Sequence, residues 1–335
     1  MRAPSFWWKP GRGLLLSPLG GIYGTAAWLR LQQHGRSAGV PVICLGNLTV
    51  GGAGKTPAAL MVGRLLLAAH RRPFFLSRGY GGRLRGPVIV NPKIHRAADV
   101  GDEPLLLARL APTVVARDRL AGAEAARFGG ASVIVMDDGF QNPSLQKDLS
   151  ILLVDQRQGI GNGWIFPAGP LRAPLEAQLA RAQALVTVGP GDGAAIVEQS
   201  ARRRGMPIFH ARIEPDPQTL AALLGRRVLA FAGIADPEKF FATLGEAGIV
   251  VAARQPFADH HRYTAAEARD LLARAEAENL LLLTTEKDHV RLGGNRELDA
   301  LAERASALPV RLVIEEDEGF RQMVLAAAQR GAARR

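Results

Sequence analysis

The chain has 335 residues, more than one hydrophobic core usually supports, so two folded units are expected, and its 47% hydrophobic content argues against a disordered protein. The single cysteine, Cys44, excludes an internal disulfide framework and favours a reducing compartment. A formal net charge of +11, mostly from arginine, favours an anionic partner: nucleic acid, an acidic membrane face or a phosphorylated ligand.

An uncharged apolar segment lies near the N-terminus, at residues 13–29. Four glycines and Pro18 interrupt it, and it is shorter than the roughly 20 residues of a membrane span. We therefore predict that residues 1–36 form a helical segment that lies on an anionic bilayer; packing on the protein's own core is the alternative. The residues expected to meet lipid are Phe6, Trp7, Trp8, Tyr23 and Trp28, flanked by Arg2, Lys9, Arg12 and Arg30.

From Pro41 onward, short apolar strands alternate with helical stretches, which is typical of βαβ units and a mostly parallel sheet with helices on both faces. This α/β pattern predicts a first domain over residues 37–205. Its strands are expected at 41–47, 73–77, 86–91, 112–116, 132–137, 150–155 and 184–188, and its helices at 57–70, 103–110, 118–128 and 174–183.

A polar, arginine-rich stretch at 190–205 is the expected boundary, and a second alternating series follows it. It predicts a smaller α/β domain over residues 206–335 that ends in a C-terminal helix at 317–333. Its strands are expected at 207–213, 227–233, 249–254, 279–285 and 310–315, and its other helices at 236–247 and 264–278.

A glycine-rich segment between the strand at 41–47 and the next helix carries the strongest local signal. It resembles a phosphate-binding loop (P-loop), in which glycines turn backbone N–H groups toward phosphates at a helix N-terminus. Lys55 is expected to reach the β- and γ-phosphates of ATP, and the Thr56 hydroxyl to bind Mg²⁺. The ATP-binding residues are predicted to be Thr49, Val50, Gly51, Gly52, Ala53, Gly54, Lys55 and Thr56.

Two features of this loop narrow the class of protein. Thr49 stands where the motif has its first glycine, and Val50 stands where a partitioning ATPase would carry a lysine before Gly51. The chain also has no N/T-K-x-D motif to read a guanine base. These absences favour a kinase.

Acidic residues follow or precede several of the predicted elements. Asp137 and Asp138 end the strand at 132–137, where P-loop enzymes hold Mg²⁺. Asp102 and Glu103 open a helix, which the helix dipole favours even without chemistry. An Asp-His-His segment at 259–261 is a candidate metal or proton-transfer site in which only one histidine acts, and a structural cap is the alternative.

Taken together, these blocks resemble the tetraacyldisaccharide 4'-kinase family of lipid A synthesis. They occur in the family's order between residues 41 and 290. The matching blocks are 42–47 with 55–57, LSRGYG at 76–81, GDEP at 101–104, DDGFQ at 137–141, GNG at 161–163, PAGPLR at 167–172, FADHH at 257–261 and TTEKD at 284–288.

The resemblance implies transfer of the ATP γ-phosphoryl group to the 4'-hydroxyl of an acylated glucosamine disaccharide 1-phosphate. It implies a peripheral protein on the cytoplasmic side of the bacterial inner membrane and Mg²⁺ as cofactor. Asp102 is then the catalytic base, His260 its partner from the second domain, and Asp137 and Asp138 organise Mg-ATP. Contacts with substrate or phosphate fall to Arg78, Glu103, Arg119, Gln141 and Arg172.

Three points stay open from the sequence. Arg117 is exchangeable with Arg119, and Ala173 stands where the family usually has an acidic residue. A kinase of a soluble metabolite and a membrane-associated regulatory ATPase are the alternative functions. Nucleic acid is not an expected partner, because the chain has neither an aromatic-interleaved basic patch nor zinc-finger spacing.

Overall fold

A nine-stranded sheet forms the larger part of the protein, which the computed structural model describes over residues 4–9, 13–315 and 317–330. Its strands are β1 (Val42–Asn47), β2 (Pro73–Ser77), β3 (Val88–Ile89), β4 (Thr113–Val115), β5 (Val133–Asp137), β6 (Leu149–Asp155), β7 (Ala184–Val188), β8 (Ile208–Pro215) and β13 (Val310–Ile314). Their order is β13-β8-β7-β6-β1-β5-β2-β4-β3. All neighbours run parallel except β13 beside β8 and β3 beside β4, so the predicted mostly parallel sheet is confirmed.

Helices cover both faces of this sheet. They are α1 (Ser17–Gln32), α2 (Lys55–Ala68), α3 (Ala97–Val100), α4 (Asp102–Ala108), α5 (Arg119–Phe128), α6 (Leu175–Leu179), α7 (Ala195–Arg203) and α13 (Asp317–Arg330). Val42 and Cys44 of β1 face the core under α5 and α7, whereas Ile43 and Leu45 face the core under α2 and α13. The central strand is therefore buried on both sides, as parallel sheets require.

A second, four-stranded parallel sheet forms the smaller unit. Its strand order is β10-β9-β11-β12, from β9 (Arg227–Ala232), β10 (Val250–Pro256), β11 (Leu281–Thr285) and β12 (Ala305–Leu308). The helices of this part of the chain are α8 (Pro217–Leu223), α9 (Pro237–Glu246), α10 (Ala265–Ala277), α11 (Glu286–His289) and α12 (Arg296–Arg304).

The division of the chain differs from the boundary expected at 205/206. β8 pairs in parallel with β7, and β13 pairs with β8, so both belong to the large sheet. Phe320 of α13 also packs into the core of the large unit. The chain thus enters the smaller unit after β8 and returns at β13. An apolar pattern predicts that a segment is a strand but does not identify its partner strand. The expected boundary stretch at 190–205 contains α7.

The N-terminal helix α1 rests on the large unit along one face. Gly20 and Gly24, one turn apart, are buried against Ile165. Trp7, predicted to meet lipid, is instead 4% exposed and donates from Nε1 to the carbonyl of Pro167 at 3.0 Å. The predicted flanking residues Arg2 and Arg12 lie outside the described residues, as do residues 331–333 of the predicted C-terminal helix.

Candidate active site

The predicted P-loop joins β1 to α2 at the carboxyl end of the central strand. Gly51 and Gly54 have φ values of +130° and +79°, a region that favours glycine. Thr49, at the position of the motif's first glycine, has no positive φ and forms a β-bridge with Leu171. The backbone therefore accepts a β-branched residue there, and the departure from the motif causes no strain.

Lys55 begins α2 and reaches back over the loop. Its Nζ donates to the carbonyl of Gly51 at 3.3 Å and lies 3.6 Å from Oδ1 of Asp138. Lys55 is only 8% exposed, and this burial lowers the pKa of its ammonium while Asp138 opposes the effect. Thr56 beside it is also buried. A cation and a hydroxyl at the N-terminus of a long helix are suited to phosphate oxygens.

The adjacent carboxylates Asp137 and Asp138 have different surroundings. Asp137 ends β5 with 1% exposure, and its Oδ1 has no hydrogen-bond partner in the part of the chain that the structure describes. Burial, followed by the charge of Glu103, raises the pKa of Asp137 to about 7. Asp138, with φ +54°, receives Nη1 and Nη2 of Arg172 at 2.7 and 3.2 Å. Oδ1 of Asp137 is therefore available to a cation, whereas Asp138 is already paired with Lys55 and Arg172.

Of the two exchangeable arginines, Arg117 and Arg119, only Arg119 interacts with these acids. Arg119 begins α5, is 3% exposed, and donates from Nη1 to the carbonyl of Ala116. Burial and then the charge of Arg78 lower the pKa of Arg119, and the charges of both carboxylates oppose them. Arg117 is exposed, and its amide bonds to the carbonyl of Arg85 at 2.8 Å. The structure thus brings Arg119, rather than Arg117, to the acids.

Side chains from the segments that follow β5 and β6 support the P-loop. Arg172 donates from Nε to the carbonyl of Thr49 at 2.9 Å, and Gln141 donates to the carbonyl of Asn47 at 3.0 Å. Gln178, which the sequence did not single out, is fully buried and bonds the carbonyl of Leu48 at 3.2 Å and Gln141 at 3.1 Å. These side chains fix the loop that carries Lys55.

The residue at position 173 is removed from the acids. Ala173 is fully buried in the apolar core, and its carbonyl accepts from Nε2 of Gln178 at 2.8 Å. The side chain at this position therefore contributes no ligand to the site.

The smaller unit places His260 against Asp102. Nδ1 of His260 lies 3.5 Å from Oδ2 of Asp102, and its ring stands edge-on to Tyr80 with centroids 5.7 Å apart. Asp102 is 4% exposed and the His260 side chain is 40% exposed. The carboxylate is therefore buried behind the imidazole, and the imidazole is partly exposed to solvent.

The neighbouring His261 has a different environment. Its Nε2 bonds Glu267 at 2.9 Å, and its ring stacks on Phe257. These contacts give His261 a structural role, and the action of a single histidine stays a prediction.

Further contacts join the two units beside Asp102, and the sequence did not predict them. Lys287 donates from Nζ to Oε1 of Glu103 at 2.9 Å. Arg291 donates from Nε to Oδ2 of Asp102 at 2.9 Å and from Nη1 to Oδ1 of Asp288 at 2.9 Å. The TTEKD block gave a partial signal, because it contains Lys287 and Asp288. Arg291 lies outside that block and had no local signal.

A cavity of about 590 Å³ opens at the carboxyl ends of β6 and β7, on the edge of the sheet that carries the P-loop. Gln156, Gly189, Gly191 and His210 are among its lining residues. The P-loop lies beside it, since a Cβ on Gly54 would be 3.6 Å from Cγ1 of Val188 in β7. In open α/β sheets, ligands bind at this edge.

The site offers few protein oxygens to a metal ion. Within residues 4–9, 13–315 and 317–330, no group of three or more His, Cys, Asp or Glu residues is arranged to hold a metal. Mg²⁺ in phosphoryl-transfer sites is held by one or two protein oxygens together with phosphates and waters. The unpartnered Oδ1 of Asp137 and the buried hydroxyl of Thr56 fit that lower requirement.

Comparisons with known proteins cover almost the whole chain. A sequence profile described as Tetraacyldisaccharide-1-P 4'-kinase matches residues 12–329. The chain is 53% identical to the tetraacyldisaccharide 4'-kinase of Rhodopseudomonas palustris (strain BisA53), covering 100% of this chain and 97% of that protein. For the enzyme of the same name from Nitrobacter winogradskyi the identity is 51%, over 97% of each chain.

A solved structure has the same fold. The crystal structure of "apo" form LpxK from Aquifex aeolicus in complex with ATP superposes with a TM-score of 0.71 and 27% identity. The match covers 94% of this chain and 99% of that one.

Proposed function

The chain belongs to the tetraacyldisaccharide 4'-kinase family, and from this premise we propose how its residues transfer the ATP γ-phosphoryl group to the 4'-hydroxyl of an acylated glucosamine disaccharide 1-phosphate. The P-loop lysine and two carboxylates come from the large unit, and a histidine from the smaller unit lies against Asp102. The observation that carries the proposal is that Glu103, next to Asp102, links the two groups: its charge raises the pKa of Asp137, and it accepts a hydrogen bond from Lys287 of the smaller unit.

The nucleotide binds along the carboxyl edge of the large sheet. We assign its phosphates to the loop at 49–56, with Lys55 released from the carbonyl of Gly51 to the β- and γ-oxygens. We assign its nucleoside to the cavity beside β7, since this cavity adjoins the P-loop. Arg78, Arg119 and Arg172 supply further positive charge to the transferred group.

Asp137 and Thr56 would hold Mg²⁺. Buried carboxylate oxygens are normally hydrogen-bonded, so the unpartnered Oδ1 of Asp137 supports a cation there. When bound, the ion neutralises charge on the phosphate oxygens. Asp138 acts beside it by holding Lys55 and Arg172 in place.

The sugar hydroxyl loses its proton to the Asp102–His260 pair. Burial alone would raise the pKa of Asp102, but the hydrogen bond from His260 and the charges of Arg291 and Lys287 hold it well below its usual range. The same hydrogen bond raises the pKa of His260. A proton acceptor within hydrogen-bond reach assists a weak hydroxyl nucleophile, and we propose that the pair shares the incoming proton.

The protein is proposed to work on the cytoplasmic side of the inner membrane. None of the helices in the described ranges is long and apolar enough to cross a bilayer. The face of α1 and the turn before it that point away from the large unit instead expose apolar side chains, with Leu15 97% and Ile22 72% exposed. Exposed apolar surface of this kind, next to basic residues, fits the interface of an anionic bilayer.

The test is a direct assay of phosphoryl transfer from ATP to the lipid. Wild-type protein with γ-labelled ATP, Mg²⁺ and the tetraacyldisaccharide 1-phosphate is expected to label the lipid. A kinase of a soluble metabolite would leave the lipid unlabelled, and a regulatory ATPase would release labelled inorganic phosphate alone.

A further inference from the structure

We propose that Arg291 is a positioning residue for this transfer, one that fixes the carboxylate of Asp102 and the imidazole of His260 relative to each other. The inference rests on the function proposed above, in which that pair takes the proton of the sugar hydroxyl. It assigns a task to a side chain that comes from the smaller unit and lies outside the recognisable motifs.

The guanidinium of Arg291 contacts both members of the pair. Its Nε and Nη2 both donate to Oδ2 of Asp102, the first at 2.9 Å. Its Nη2 also lies 3.4 Å from Nδ1 of His260. The Arg291 side chain is 7% exposed. Two donors of one buried guanidinium thus converge on a single carboxylate oxygen, and the other oxygen of Asp102 accepts from the amide of Glu103 at 3.0 Å, so both oxygens of the carboxylate are held in place.

The smaller unit holds this guanidinium rigidly. Nη1 donates to Oδ1 of Asp288 at 2.9 Å, and Asp288 is fully buried. The same carboxylate accepts from the amide of Gly233 at 3.0 Å, the hydroxyl of Tyr263 at 3.0 Å and the hydroxyl of Thr285 at 2.6 Å. Because Asp288 has four donors, it anchors Arg291 rather than competing with Asp102 for it.

One backbone carbonyl ties Arg291 to His260. The carbonyl of Gly233 accepts from Nη1 of Arg291 at 2.7 Å and from the amide of His260 at 3.0 Å. A Cβ on this glycine would lie 3.0 Å from Oδ1 of Asp288, so the approach is close. The same carbonyl therefore holds Arg291 and His260 relative to each other, and both side chains reach Asp102.

The charges around Asp102 give the sign of a pH effect. Asp102 is faced by His260, Arg291 and Lys287, with Glu103 beside it on α4 and Asp259 beyond the imidazole. The charge of Arg291 lowers the pKa of Asp102 and also lowers that of His260. Removal of that charge therefore raises both pKa values. Because the pKa of Asp102 lies well below the neutral range, His260 is the member of the pair whose protonation sets the acid limb of the rate profile there, and that limb moves to higher pH.

The test compares Arg291→Met and Arg291→Lys with wild type for kcat, KM and the pH profile of kcat/KM between about pH 6 and about pH 9. Arg291→Met is expected to lower kcat on the order of 10²-fold, as for a misplaced reacting group, with little change in KM for ATP. Arg291→Lys keeps the charge but not the fixed pair of donors to Asp102, and it is expected to recover part of the rate. The matched control is Arg269→Met, because Arg269 forms an exposed ion pair with Glu297 in the smaller unit.

The kcat of Arg291→Met and of Arg291→Lys is also measured in an Asp102→Asn background. This comparison separates a role in positioning Asp102 from a purely structural role. If Arg291 acts through Asp102, Arg291→Met costs little further rate in that background, because the effects of coupled residues are not additive. An acid limb that does not move, or an equal loss in both backgrounds, overturns the proposal. If Arg291→Met does not fold, Arg291→Lys decides alone: a wild-type kcat overturns the proposal, and a loss that disappears in the Asp102→Asn background supports it. A near-normal rate for Asp102→Asn itself would instead contradict the function proposed for the pair.

Discussion

Replacement of exposed apolar residues at the N-terminus is expected to release the protein from membranes without unfolding it. Leu15 is 97% exposed and Ile22 72% exposed, so both have nearly a whole side chain to bury in lipid. Full burial of such a side chain contributes about 1.5–3 kcal/mol. With about 2 kcal/mol per residue at the interface, Leu15→Ser with Ile22→Ser should weaken vesicle binding by about 10²- to 10³-fold.

The assay is co-sedimentation with vesicles of phosphatidylethanolamine and phosphatidylglycerol, with thermal unfolding measured in parallel. Ile94→Ser is the control, because Ile94 is 70% exposed but lies outside the N-terminal segment, in the loop after β3. The control should sediment like wild type, and all variants should keep the wild-type Tm, since exposed substitutions cost little stability. Equal sedimentation of the double variant and wild type would refute the reasoning and leave α1 as a purely structural helix.

Three further predictions concern the site. Lys55→Ala should lower kcat/KM by about two or more decades, because it removes a preorganised charge contact; a near-normal rate in a folded variant would contradict the P-loop assignment. Asp102→Ala and His260→Ala should each lower kcat strongly while ATP binding survives, and the double variant should be little worse than the poorer single one; fully multiplicative losses would show independent roles. Because burial raises the pKa of Asp137 to about 7, apparent Mg²⁺ affinity should fall as pH decreases through 7, and Asp137→Asn should abolish that dependence; an unchanged dependence in the variant would remove Asp137 as a ligand.

The strands of the large sheet were predictable because each is a short apolar run bounded by turn residues. β1, β5 and β7 lie within a residue or two of the predicted positions. β12 (Ala305–Leu308) was missed, because its four residues carry no strand-specific pattern. α7 lies in the stretch that was predicted as a domain boundary because of its arginines. Its residues Val197, Ser200 and Ala201 nevertheless form a buried face at helical spacing.

The residues of the site also differ in how well the sequence predicts them. The P-loop is one contiguous segment whose chemistry is visible in the chain, and so are Asp137 and Asp138 at the end of a strand. Arg291 and Gln178 act through contacts with residues far away in sequence, Asp102 and Leu48 respectively. No local pattern specifies such pairs, since they depend on how distant parts of the chain pack against each other.

The most direct test of the account is the position of the label after reaction of the wild-type protein with γ-labelled ATP, Mg²⁺ and the tetraacyldisaccharide 1-phosphate. The account predicts one labelled lipid product, with the new phosphate on the 4'-oxygen, formed at least two decades more slowly by Lys55→Ala. Label found only in inorganic phosphate, or a Lys55→Ala protein that labels the lipid at the wild-type rate, would contradict it.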